Sequence, residues 1–425
     1  MDRSTTKVIL QGLLLNLILL PTANTLAQSA VDLLPLGTGD LAAETQFASP
    51  AKPLVNSSRE DVSVSWELPR SANLSNTSKP HAALSREYWL TADGGQLQQG
   101  LRIRTTAPGA VIKISPIPVN SVNSSGVPEL KPEQLIIVDS QGTQHTQSSA
   151  LFRSATAAQI GNAPITFPPG TVILQLKESL GHGEFRIRAG VGLNSRQLFS
   201  LHVLDKNSRF KLFLQASDDT VFPGNELTAR ITVTDNDTLQ APRSVQTHLL
   251  GPDGKQVTVN NTPGPDGSIE ALVRIDDQEL DTGLWELHVI TTGVSKGLQV
   301  QRNAKTVFAY SRPNAALIDR AGITPPANHN DSLRISFGLD AIAAGRFELR
   351  GTLFGTASDG QKLPMMFASS AGWREAGQST MTLKFDLDKL AGSRLRGPFE
   401  IRDLRLIDQS RMMLLHRQKV ALRFQ

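Results

Sequence analysis

The stretch Asp281-Thr-Gly-Leu-Trp-Glu-Leu-His-Val289 limits the possible folds more than any other part of this 425-residue chain. Trp285, Leu287 and Val289 recur at period two and share one face, while Leu284, Glu286 and His288 take the other. That alternation belongs to a strand in a sheet with one buried side. Gly283 lets the chain turn sharply into the strand, and Trp285 is expected to be buried as its anchor. A sheet with one apolar face needs a second layer over it, which here means another sheet.

The spacing resembles the Asp-x-Gly-x-Tyr-x-Cys pattern of the sixth strand of immunoglobulin domains, with Trp285 in place of the tyrosine and Leu287 in place of the cysteine. Neither the tyrosine-corner hydrogen bond nor the inter-sheet disulfide is therefore expected, which leaves a sandwich held by packing alone. The absence of cysteine throughout excludes disulfides, thiol catalysis and thiolate metal sites. Such sandwiches host many unrelated functions, so architecture does not name an activity.

The rest of the chain reads as all-β and multi-module. Residues 1–27 have the pattern of a signal peptide: Arg3 and Lys7, an apolar run from Val8 to Leu20, then Thr25-Leu-Ala27 before Gln28. The mature protein is expected in the periplasm or outside the cell, with no membrane span after cleavage. Residues 28–60 lack a sustained period and read as a linker or arm. Residues 61–207 form an irregular β-rich N-terminal module that opens with the alternation Val62, Val64, Trp66, Leu68. Leu97, Leu101 and Ile103 read as strand residues, and the patch from Ala155 to Ala158 as one helical turn. Residues 208–313 carry strand and turn signals for one immunoglobulin-like sandwich, including the turns Gly251-Pro-Asp-Gly254 and Gly264-Pro-Asp-Gly267. Residues 314–425 form a second sandwich, expected to fold alone from about Asn314. Within it the apolar parity slips from Phe399 and Ile401 to Leu404 and Leu406, which predicts a bulge at Asp403. Four segments beginning at Gly183, Gly283, Gly345 and Gly397 share the form glycine, any, aromatic, polar, aliphatic, basic, a turn feeding a strand.

Ser85-Arg-Glu-Tyr-Trp-Leu90, Gly100, Thr106-Ala-Pro-Gly-Ala-Val-Ile112 and Pro168-Pro-Gly170 together resemble an exported Gram-negative bacterial family, that of domain of unknown function 4785. The resemblance implies export and immunoglobulin-like modules, and it brings no catalytic residues to carry over.

Motifs for a nucleophile elbow, a zincin helix or a phosphate loop do not occur. Carboxylates brought together by folding leave no local signature, so Glu178, Glu184, Glu226 and Asp340 stay open as members of a hydrolytic pair. The eight histidines are dispersed. Calcium is the one cofactor with candidates: Asp218, Asp219, Asp235, Asp237, Asp276 and Asp277 lie in loops of the middle module, where oxygen ligands can converge. The same residues are ordinary turn formers. From Arg394 to Arg423 a basic run could present an anion-binding face or simply a solvated sheet. The formal net charge of +4 does not call for a polyanion, and export argues against nucleic acid. Trp66, Trp285 and Trp373 sit in or beside strands and read as core. The function most consistent with this is a monomeric, non-catalytic interaction or scaffold protein whose partner is a protein or an envelope component. The alternatives are a hydrolase with its carboxylates in the N-terminal module, or a periplasmic chaperone that donates a strand.

Overall fold

A computed structural model describes residues 29–43, 52–53, 56–72, 74, 80–118, 130–160, 167–275, 281–327, 331–386 and 395–425. Residues 1–27, read above as a signal peptide, and two calcium candidates, Asp276 and Asp277, lie outside the described residues. Six sheets pair into three sandwiches, each with its own apolar core.

The middle sandwich carries the organising strand. Gly283–Ser295 pairs along its whole length with Leu298–Tyr310 through the tight turn Lys296-Gly297, both residues having positive φ. These two strands extend well beyond the short segments the sequence suggested. In one sheet they lie between Thr220–Val221, which pairs in parallel, and Ser244–Leu250. The facing sheet runs Asn260–Pro263, Ile269–Arg274, Glu226–Asp235, Phe210–Ala216. This is the immunoglobulin arrangement, in which strands adjacent in sequence cross between layers. Trp285 is fully buried against Tyr310, edge to face at 6.3 Å. Its indole Nε1–H donates to the Asp281 carbonyl at 3.0 Å. The corner hydrogen bond expected to be lost with the tyrosine is thus remade by the tryptophan, because an indole N–H reaches back to the turn as a phenol would. A side chain at Gly251 would come within 3.0 Å of the Trp285 ring, so the 251–254 turn closes directly on the anchor. Trp285→Phe, which keeps most of the ring and loses the bond, is expected to cost about 1–3 kcal/mol in urea denaturation; an unchanged midpoint would show the corner bond to be idle.

The N-terminal module is more regular than its sequence suggested. A five-stranded sheet (Leu151–Thr156, Val172–Leu176, Val111–Pro116, Leu198–Leu204, Glu87–Asp93) faces a four-stranded one (Leu101–Thr105, Gly183–Ala189, Leu135–Val138, Gln144–His145). Leu97 is not in a strand: it is buried from the short helix Gly94–Gln99. Asp93 accepts from the Gln96 backbone N–H, and the Gln96 side chain accepts from that of Asp93, a capping box that starts a helix. Ala155 continues the strand Leu151–Thr156, and the turn of helix follows it, as the 3-10 segment Ala158–Ile160.

The third sandwich, built mainly from the strands between Ala315 and Phe424, contains a correction to the expected domain plan. Residues 28–60 were read as a linker or arm, and Val62–Glu67 as the first strand of the N-terminal module. Instead, Ser29–Asp32 pairs with Ala315–Thr324, Leu41–Ala42 with Met413–Phe424, and Val62–Glu67 with Lys362–Arg374. Val31 and Leu33 pack on the C-terminal core, and Leu41 is buried. Further ties are Leu34 N–H to the Ala421 carbonyl at 2.8 Å and Arg374 to Asp61 at 2.9 Å. The chain then returns to the middle sandwich, where Ala82–Ser85 pairs with the edge strand Phe210–Ala216, before building the N-terminal module. Short apolar pieces spaced by polar residues show no period, yet each is long enough to cap an open sheet edge. The bulge is where the parity slip placed it. Arg402 lies opposite Thr352 and Arg405 opposite Arg350, so one residue is extra, and Asp403 has φ +50°.

The modules are fastened to one another by buried charge. Arg302 and Asp205 are both fully buried where the N-terminal and middle modules meet, 2.8 Å apart. Arg302 also donates to the Phe210 and Gln301 carbonyls and to Ser208 Oγ. Asp205 accepts from Thr106 N–H and Oγ1 as well.

Candidate interaction face and groove

Because Val62–Glu67 is the outermost strand of its sheet, its register decides what the sheet's outer face presents. Trp66 stands opposite Phe367, Val64 opposite Ser369 and Val62 opposite Ala371. Across the next strands Phe367 faces Thr352 and Thr352 faces Arg402; Ser369 faces Arg350, and Arg350 faces Arg405. The alternate residues Met366, Ala368, Leu353 and Ile401 point the other way, into the core. Val62, Val64 and Trp66 are 46%, 45% and 49% exposed. Trp66 was expected in the core. It lies outside because the strand docks with its polar side inward, Ser65 Oγ donating to Asp386. Trp373 is half-buried beneath the Arg59 guanidinium, 4.9 Å from its centroid, so of the three tryptophans read as core only Trp285 is fully so.

Next to Trp66 the face sinks into a groove of about 580 Å³. Its wall away from the sheet includes Leu68, Ala72 and Leu74; its floor includes Arg350, Thr352 and Phe354. The Trp66 ring is held by Phe367, centroids 4.5 Å apart, and Arg402 lies over Phe354 at 4.5 Å.

The basic run Arg394–Arg423 is not one free cationic face. Arg402 and Arg423 bond Glu400, Arg405 bonds Asp403, Arg411 bonds Asp408, and Arg417 bonds Asp218 and Asp219. Arg394 is outside the described residues. Burial works to raise the Glu400 carboxyl, but Arg402, Arg423 and Lys362 outweigh it and lower its pKa, so it is ionised beneath the groove. Arg350, on the groove floor, makes no ion pair among the described residues.

The calcium candidates are divided between opposite ends of the middle sandwich. Asp218 and Asp219 follow the strand Phe210–Ala216, and Asp235 pairs with Phe210 at its start. Arg417 of the C-terminal sandwich is bidentate to the first pair, 2.7 Å to each. Burial raises the Asp218 carboxyl, an effect Arg417 partly offsets; burial alone would lower Arg417, but the two carboxylates together raise it. Asp235 accepts from Ser295, and Asp237 pairs with Lys211. Asn236 and Asp237 both have positive φ in the two-residue turn to Thr238–Leu239, as their turn chemistry allows. Among the described residues no group of three or more acidic or histidine side chains is placed to hold a metal.

Of the open carboxylates, Glu184 is paired with Arg102 and Arg104, Glu226 with Arg274, and Asp340 lies opposite Gln378 in a strand pair. Glu178 begins a 3-10 turn. The fold does bring histidines to side-chain partners. His202 is 2.7 Å from Glu87 and stacks on Trp89, His145 is 2.8 Å from Asp139, and His248 stacks on His288 across paired strands at 5.0 Å. Burial, then the neighbouring His288, lowers the His248 pKa.

His416 is buried opposite Ala42, 3.3 Å from Gln418 Oε1, and burial lowers its pKa below the ordinary 6.5 despite Asp40 and Asp319 nearby. Between the lowered value and about 6.5 the unfolded chain binds the proton that the folded chain refuses. Stability is therefore intact above about pH 6.5 and falls with decreasing pH, by up to about 1.4 kcal/mol per unit. Urea midpoints at pH 7 and pH 5 should differ less for His416→Gln than for the parent; an equal difference would remove His416 from the account.

Residues 53–205 match the N-terminal domain, and residues 314–425 the C-terminal domain, of the family described as domain of unknown function (DUF4785). The chain belongs to the DUF4785 family. A crystal structure of a DUF4785 family protein from Legionella pneumophila is similar over 90% of this chain and 98% of that one, with 23% identity and a TM-score of 0.67. The multi-module all-β fold is thus shared within the DUF4785 family. A tetra-tandem repeat from the extending region of a large adhesion protein covers 79% of this chain and 74% of its own, at 13% identity and a TM-score of 0.22. A marsupial T cell receptor covers 69% and 99%, at 9% identity and 0.21. No curated protein matches the chain. Among the described residues no helix is long and apolar enough to cross a membrane.

Proposed function

We propose that the mature chain is an exported, non-catalytic interaction protein that holds an envelope component against the Trp66 face of its C-terminal sandwich. The observation that carries this reading is the exposed row Val62, Val64 and Trp66 on an edge strand. Natural sheets blunt their edges with charge, proline or cover, and an apolar row left outside at an edge marks a contact surface. Ionic junctions support a scaffold role, since the buried pair Arg302 with Asp205, and the partly exposed set Arg417 with Asp218 and Asp219, tie neighbouring modules together. The leader pattern in residues 1–27 supports export.

A photo-crosslinking residue placed at Val64 of the full chain is expected to capture a discrete envelope species, and the same probe at Leu284, on the middle sandwich, is not. Equal labelling from both positions would remove the face from the proposal.

A further inference from the structure

We propose that the groove beside Trp66 binds an anionic saccharide, with the Trp66 ring as the platform for the sugar and Arg350 as the ligand to its carboxylate or phosphate. This rests on the reading of the Trp66 face as the contact surface and names the chemistry that the face takes.

Size and shape come first. About 580 Å³ lies within the range of sites that enclose a small ligand, and Leu68, Ala72 and Leu74 wall it on one side. Charge then selects what enters. Arg350, Lys362 and Arg402 line the groove, and among the described lining residues the one carboxylate is Asp403, which already bonds Arg405. Arg402 and Lys362 share the buried Glu400 with Arg423, so three cations meet one anion there and the groove stays positive. Arg350 and Arg405 stand directly opposite one another in an antiparallel pair. Like charges in that relation are unfavourable, and Asp403 relieves only Arg405. An anion bound by the Arg350 fork relieves the other with charge-assisted hydrogen bonds.

The backbone decides between a saccharide and an acidic peptide. A peptide captured by strand addition needs free N–H and C=O groups. Arg350, Lys362 and Arg402 do not lie at the free edge of Val62–Glu67; they lie across the top of the sheet, on strands paired with neighbours on both sides. Recognition there falls to side chains alone. A half-exposed tryptophan fixed in orientation by Phe367, ringed by guanidinium, ammonium, Thr352 and Gln361 groups, suits a ring with one flat C–H face, hydroxyls and an anionic substituent.

The test is titration calorimetry on the mature full-length chain with four probes: trigalacturonate, a disaccharide phosphate, neutral maltotriose and hexaglutamate. Binding of at least one of the two anionic saccharides, weakened by salt, is expected, and which of them binds separates carboxylate from phosphate recognition. Arg350→Gln and Trp66→Ala should each lower that affinity tenfold or more. Asp403→Asn, which removes the lining carboxylate and suits a positive φ, should raise it several-fold. Unchanged thermal unfolding of the Arg350 and Trp66 variants shows that the loss is local. Maltotriose binding as well as the acids, hexaglutamate binding better, or no saccharide binding would each overturn the proposal. Persistence of the Val64 crosslink in such a case would retain the contact face while rejecting this ligand, whereas loss of the crosslink specificity alongside it would reject both.

Discussion

A chain beginning at Pro80 is expected to show an early unfolding transition that the chain beginning at Gln28 lacks. The shorter chain keeps the N-terminal and middle modules whole but loses Ser29–Asp32, Leu41–Ala42 and Val62–Glu67 from the C-terminal sandwich. Val31, Leu33 and Leu41 go with them, and burying aliphatic side chains of this kind contributes roughly 1.5–3 kcal/mol each, on the order of 5 kcal/mol together. Whole domains are stable by only about 5–15 kcal/mol, so the sandwich should survive marginally or melt near ambient temperature. Its newly bared edges at Ala315–Thr324, Lys362–Arg374 and Met413–Phe424 should also promote aggregation. Scanning calorimetry of the two chains tests this, and a peptide spanning residues 28–67 added in trans should restore the lost transition. Identical single transitions would show that residues 314–425 are self-sufficient and that the added strands only decorate them.

Arg302→Met is expected to cost about 3–5 kcal/mol, because it leaves Asp205 charged and buried without its counter-ion. Burial pulls the Arg302 pKa down while Asp205, by charge and by hydrogen bond, opposes the pull. The double variant Arg302→Met with Asp205→Asn should recover a good part of the loss, since the neutral amide that replaces the carboxylate can still accept from Thr106. The single variant should also expose the segment near Asp205 to limited proteolysis, as the N-terminal and middle modules part. A urea midpoint within about 1 kcal/mol of the parent would mean that packing at Phe210, not the ion pair, fastens the junction.

How much of this was legible follows from the range of the forces involved. Local patterns survived folding intact. Trp285 with its alternation, the glycine that opens three of the four repeated strands (the fourth begins one residue earlier, at Arg396), and the slip at Asp403 are written in neighbouring residues. Leu97 was misplaced because a capping box of two side chains overrides a weak strand pattern. The arm was missed for a different reason: edge capping needs only a few residues per strand, and its partners lie some hundreds of positions away, as Ser65 and Asp386 do. Trp66 failed in the same way. A strand with one apolar side gives no sign of which side will face the core until its partner is known. For the groove, the available signal was Arg350 at the end of a repeated strand motif, but its lack of a carboxylate could be seen only once Glu400, Asp403 and Asp408 had been assigned to other arginines.

The three strands Ser29–Asp32, Leu41–Ala42 and Val62–Glu67 also set an order of events. Synthesis delivers those residues first, whereas the edges that receive them, near residues 320, 370 and 416, are delivered last. Val62, Val64 and Trp66 must therefore wait, unpaired, while two other sandwiches form between them and their site. Closing a loop of that length is slow, and apolar segments that wait are prone to pair elsewhere. Final docking of these strands is then the commitment step of assembly, and a newly made chain is at its most vulnerable just before it.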